Sequence, residues 1–111
     1  MKIIEHFVDG NKYSGNSKRL SSIHNPATGE ETSKVKLGSS EDLNKATQKA
    51  QEAFLTWSNT PPLQRARVLF KFKELIEKNE DELVKIIVSE HGKVYEDAKG
   101  SLTRGLEVVE F

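Results

Sequence analysis

The run SKVKLGSSEDLNKATQKAQEAFLTW, Ser33 to Trp57, changes its period at Gly38. Before the glycine, polar and apolar residues alternate, with Val35 and Leu37 on one face, which predicts a strand. After it, Leu43, Ala46, Ala50, Ala53, Phe54 and Trp57 fall on one helical stripe. Ser39 or Ser40 can cap that helix, and Glu41 and Asp42 suit the positive end of its dipole. The alanines predict close packing against another element, and place Phe54 and Trp57 in a core rather than on a binding platform. The chain therefore divides at about residue 38 into strands and turns (1–38) and helices (39–111).

On the amino-terminal side, Asn25-Pro26-Ala27-Thr28-Gly29-Glu30 reads as a turn, in which Pro26 fixes φ and Gly29 is permissive. Its single glycine and lack of lysine do not make a phosphate loop. Ile23-His24 predicts a short strand, and Ser14 to Ser22 a polar loop or frayed edge. Phe7-Val8, Asp9-Gly10 and Asn11-Lys12-Tyr13 predict a tight hairpin. On the carboxyl-terminal side, Thr60-Pro61 predicts a second helix with Pro61 at its first position. Leu69, Phe72, Leu75 and Ile76, with Ala66, form its apolar stripe. Asn79 and Glu82 predict a restart, Leu83, Ile86 and Ile87 its apolar face, and Gly92 its stop.

Tyr95 to Phe111, YEDAKGSLTRGLEVVEF, has Ala98, Leu102, Gly105, Leu106 and Val109 at helical spacing. No cap, proline or basic last turn closes this helix, so the expectation is the front of a longer chain. Short strands followed by long helices leave the Leu83 and Leu102 faces uncovered. A sheet from further sequence would cover them.

Composition narrows the partners. One domain at most fits in 111 residues, of which 35% are hydrophobic and 31% charged. The 17 basic and 17 acidic residues cancel, giving no electrostatic ground for nucleic acid or an anionic membrane. There is no cysteine, hence no disulfide and no thiol chemistry within these residues. No secretory signal or membrane-spanning run is present, so the expectation is a soluble, cytoplasmic protein.

Four landmarks resemble the amino-terminal region of the aldehyde dehydrogenase superfamily. They are Phe7-Val8-Asp9-Gly10; Asn25-Pro26-Ala27-Thr28-Gly29-Glu30; Ala50-Gln51-Glu52-Ala53-Phe54 with Trp57; and Glu90-His91-Gly92-Lys93 with Ala98 beyond. Arg65 and Leu69 fit as well. The run Gly100 to Phe111, above all Arg104-Gly105 followed by Val109-Glu110, is similar to the CoA-acylating methylmalonate-semialdehyde dehydrogenase branch. That branch usually carries an acidic residue where this chain has Ser101.

The resemblance implies an α/β parent with a Rossmann-type cofactor domain, of which residues 1–111 are the amino-terminal part. It implies oxidation of malonate or methylmalonate semialdehyde with NAD, and CoA as co-substrate. It also implies a homo-oligomer, dimer or tetramer. Such a reaction needs a cysteine thiolate, donors for the oxyanion and a bound nicotinamide. These residues hold no cysteine and no Gly-rich strand-to-helix turn, so no catalytic or cofactor-binding residue is assigned and the segment alone is expected to be inactive. Arg104 is the one carry-over. The resemblance implies that it binds the substrate carboxylate, which a guanidinium grips with paired hydrogen bonds. Asp97 and Glu107 leave a structural ion pair equally open.

His6, His24 and His91 show no metal-ligand spacing. Arg65, Arg67, Lys71 and Lys73 do not share a helical stripe. Another aldehyde dehydrogenase branch, of succinate-semialdehyde or betaine-aldehyde type, and a non-catalytic helical interaction module are the alternatives.

Overall fold

A computed structural model describes all of residues 1–111. Five short strands precede four helices: β1 (Lys2–Ile4), β2 (His6–Val8), β3 (Asn11–Tyr13), β4 (Leu20–His24), β5 (Glu31–Lys36), α1 (Ser40–Trp57), α2 (Pro62–Lys78), α3 (Glu80–His91) and α4 (Tyr95–Glu110). These elements fall into two compact units. The first comprises Met1–His24 and Thr28–Asn59, the second Asn25–Ala27 and Thr60–Phe111.

In the first unit β2 and β3 pair antiparallel through the Asp9-Gly10 turn. Both turn residues have positive φ, 55° and 73°, as a two-residue primed turn requires. A second sheet has the order β1-β5-β4. Its centre, β5, runs parallel to β1, with Ile4 beside Val35, and antiparallel to β4, with Ile23 beside Ser33. Two of these features depart from the sequence reading. Residues 2–4 form a strand that was not anticipated. Leu20–Ser22, the end of the stretch read as a loop or frayed edge, lengthen the short strand at Ile23-His24 into β4 at the edge of the sheet.

Helix α1 begins at a capping box. Ser39 Oγ accepts from the Asp42 N–H at 3.1 Å, and the Asp42 carboxylate accepts from the Ser39 N–H at 2.7 Å. The alanine-rich stripe is not a core in this chain. Ala46 is half-buried, but Leu43 is 68%, Phe54 57% and Trp57 43% exposed. The periodicity found the apolar face, and nothing within these residues covers it.

In the second unit α4 packs on both α2 and α3. Val84 and Ala98 are fully buried and form its core. Charged groups brace the helices at the rim: Lys99 pairs with Glu80 at 3.2 Å, Lys73 with Glu110, and Tyr95 Oη donates to Asp81 at 3.0 Å. Helix α2 starts one residue later than expected, with Pro61 before it and Pro62 as its first residue. Leu69, Phe72 and Leu75 of its apolar stripe are exposed, while Ala66 and Ile76 are half-buried.

Asn79 does not cap α3 with its side chain. Its Nδ2 donates instead to Leu75 O at 2.7 Å, closing α2, so one residue ends one helix and begins the next. Gly92 ends α3 in the left-handed conformation, φ 82°. A Cβ there would lie 3.1 Å from Pro26 Cγ, so that position requires both the φ and the bare backbone of glycine.

Candidate functional site

Arg104 lies on α4, three turns into the helix and exposed to solvent. Its side chain folds back toward the helix start, as long helical side chains do. There Nη1 comes 3.4 Å from where a Cβ on Gly100 would be. Nη2 donates to Ser101 Oγ at 3.2 Å. The ion pair with Asp97 or Glu107 that the sequence also allowed does not form; none of the ion pairs in the structure involves Arg104. Ser101 has two further partners. Lys93 Nζ donates to its Oγ at 2.8 Å, and its own hydroxyl donates to Asp97 O at 3.2 Å. Lys93 immediately precedes Val94, the N-cap of α4, and its side chain runs along that helix to Ser101. Sequence reading singled out Ser101 as a departure from the semialdehyde branch but not its link to Lys93, eight residues away. That link runs along the start of α4, from the residue before its N-cap Val94 to a residue in its second turn.

A second polar centre forms around Asp42 in the first unit. Its carboxylate accepts from Tyr13 Oη and the Asn16 N–H, each at 2.8 Å, and from the Ser39 N–H and hydroxyl at 2.7 and 2.8 Å. Donation from the Ser39 and Asn16 backbone, then from Tyr13, holds this carboxyl well below the usual carboxylate range. The same bond raises the Tyr13 hydroxyl. A Cβ on Gly15 would lie 3.1 Å from Asp42 Oδ1. The β5–α1 junction is the strand-to-helix turn at which a cofactor phosphate would be sought. Here the Asp42 carboxylate already fills the helix start. The residues present at this turn do not fit the pyrophosphate of NAD.

The three histidines sit on separate elements: His6 on β2, His24 at the end of β4, and His91 at the end of α3. His6 Nε2 is buried without a hydrogen-bond partner. No three His, Cys, Asp or Glu side chains come together as a metal site. The cations Arg65, Arg67, Lys71 and Lys73 of α2 separate. Lys71 pairs with Glu74 at 3.0 Å, Lys73 with Glu77 at 3.4 Å and with Glu110, Arg67 is exposed, and Arg65 is half-buried with its Nε unpartnered. They form no continuous basic surface. No helix is long and apolar enough to cross a membrane.

Comparison with known proteins agrees with the motif reading. Residues 13–111 match the model of the aldehyde dehydrogenase family. A malonate-semialdehyde dehydrogenase of Pseudomonas aeruginosa is 45% identical over all 111 residues, which are 22% of its length. A protein of Sinorhizobium meliloti 1021 assigned as a methylmalonate-semialdehyde dehydrogenase, solved with NAD, superposes with a TM-score of 0.97 at 47% identity. The match covers 100% of this chain and 23% of that one. The methylmalonate-semialdehyde dehydrogenase of Oceanimonas doudoroffii gives 0.95 at 46% identity, over 99% of this chain and 22% of that one. The chain thus spans less than a quarter of the length of these relatives. With short strands leading into four helices, a motif set in family order and a family match over residues 13–111, the chain belongs to the aldehyde dehydrogenase family.

Proposed function

We propose that the chain is the amino-terminal part of an NAD-dependent, CoA-acylating dehydrogenase that converts malonate or methylmalonate semialdehyde into acetyl-CoA or propionyl-CoA, with the substrate's carboxylate released as CO2 and NAD reduced to NADH. The observation that carries this reading is identity of 45–47% to malonate- and methylmalonate-semialdehyde dehydrogenases, spread over the whole chain. Residues 1–111 form the front of the cofactor-binding domain and contribute framework. NAD supplies hydride acceptance and CoA accepts the acyl group, both on residues outside these 111. Arg104, solvent-exposed and without a carboxylate partner, binds the substrate's carboxylate. The enzyme works as a cytoplasmic homo-oligomer, dimer or tetramer, on a small-molecule substrate.

The complete enzyme, assayed for NADH and thioester formation, should turn over malonate or methylmalonate semialdehyde only when CoA is present. Release of the free acid without CoA, or a preference for succinate semialdehyde or betaine aldehyde, would overturn the proposal.

A further inference from the structure

Ser101 Oγ can donate one hydrogen bond and accept two. Its proton goes to the Asp97 carbonyl, and its accepting positions take Lys93 Nζ at 2.8 Å and Arg104 Nη2 at 3.2 Å. Two cationic heads are therefore held against one neutral oxygen. Neither has a carboxylate within ion-pair distance, while the neighbouring cation Lys99 takes Glu80. Like charges repel at this range. An anion that joined them would cancel the repulsion and gain two charge-assisted hydrogen bonds. The site is open to such a ligand, because Arg104 is exposed and Lys93 only half-buried.

We propose that Lys93 supplies a second cationic contact to the substrate's carboxylate, held beside Arg104 by the Ser101 hydroxyl. The inference rests on the reading of Arg104 as the carboxylate contact and adds a specificity-determining residue to it. A carboxylate has two oxygens, so one accepts from the guanidinium and the other from the ammonium. Ser101 is a positioning residue: it touches both cations and fixes their separation. An aldehyde without a carboxylate gains nothing from the pair, so the pair selects for acidic semialdehydes.

The test is made in the complete enzyme with malonate semialdehyde and, as the uncharged control, propanal. Lys93→Met keeps the stem and removes the charge, and Lys93→Arg restores the charge. Loss of one charge-assisted hydrogen bond predicts a KM for the semialdehyde raised about tenfold in Lys93→Met. The KM for propanal and the kcat for both should be unchanged, and Lys93→Arg should recover most of the loss. Ser101→Ala should move the semialdehyde KM in the same direction by less, with rescue by Ser101→Thr.

If Arg104→Met raises the semialdehyde KM and Lys93→Met does not, the second contact is refuted and the Arg104 reading stands. If neither moves it, both fall. Equal losses on both aldehydes make Lys93 structural and overturn the inference. A rise in the KM for CoA alone assigns the pair to the co-substrate's phosphates and overturns it too.

Discussion

Replacing Gly92 by alanine tests how the second unit is closed. Two costs can be separated. The residue sits at φ 82° and ψ 10°, a left-handed conformation that costs an L-residue about 1–2 kcal/mol. The new Cβ would lie 3.1 Å from Pro26 Cγ and 3.5 Å from its Cβ. The proline ring cannot fold aside, so one backbone must shift a few tenths of an ångström, at about 1 kcal/mol. Alanine also stiffens the unfolded chain, which offsets about 0.4–1 kcal/mol. The net expectation is a loss of about 1–2.6 kcal/mol. It is read as a shift in the urea midpoint followed by helical ellipticity, at protein concentrations too low for self-association.

Asparagine tolerates the left-handed region better, so Gly92→Asn should fall between wild type and alanine. Pro26→Ala relieves the contact, and in that background Gly92→Ala should cost only its conformational part. A cost that is the same with and without Pro26 would refute the close-approach argument. An alanine variant as stable as wild type would refute the account as a whole.

Four further outcomes follow from the structure. The Asp42 carboxyl is held low by its donors, so the stability it contributes is complete above its unfolded value of about 4. That contribution is lost as pH falls through the lower folded value. An acid titration of α1 helicity should show this loss, and Asp42→Asn should flatten it. Tyr13→Phe removes one of the donors and should move the Asp42 titration, followed by carboxyl carbon NMR, upward; an unmoved titration would exclude that bond as a cause. Arg104→Ala in the complete enzyme should raise the semialdehyde KM about tenfold or more with little change for propanal, and an unchanged KM would remove the assigned role. Leu43, Phe54, Leu55 and Trp57 on α1 and Leu63, Val68, Phe70 and Phe72 on α2 are exposed. The 111-residue chain by itself should therefore bind apolar dyes and self-associate, whereas a dye-silent, monodisperse monomer would contradict those faces being open.

What could be read from the sequence was local. The Asp9-Gly10 hairpin, a serine cap with an acidic first turn at Ser39–Asp42 and the Gly92 stop are each set by residues within a few positions of one another, and each is present in the structure; that Asp42 returns a bond to the Ser39 N–H was not read from the sequence. What escaped depends on distant partners. Lys2-Ile3-Ile4 becomes a strand because β5, about thirty residues on, supplies its parallel neighbour. Serine-rich Leu20–Ser22 is recruited by the same strand. At Asn79 two signals compete for one side chain, and the Leu75 carbonyl in the last turn of α2, which also accepts the Asn79 N–H, wins it. Periodicity correctly found the stripe bearing Phe54 and Trp57 but carries no information about what lies opposite. At the candidate site, Arg104 stood out through the Arg-Gly pair. Lys93 did not, because a lysine beside a helix stop usually only complements the dipole.

The second unit does not occupy one continuous stretch: it takes in Asn25–Ala27 as well as Thr60–Phe111. During synthesis Pro26 leaves the ribosome long before Gly92, so the Asn25–Ala27 segment has no partner in its own unit until the later helices are made. It follows that no single cut yields both units whole. A protease nick near residue 60 would leave Pro26 on the wrong piece, and a graft of the three helices α2–α4 from a relative would have to carry three residues that precede α1. Circular permutation does not remove the interruption either, because the units alternate along the chain: joining Phe111 to Met1 still leaves Met1–His24 of the first unit between the helices and the Asn25–Ala27 turn.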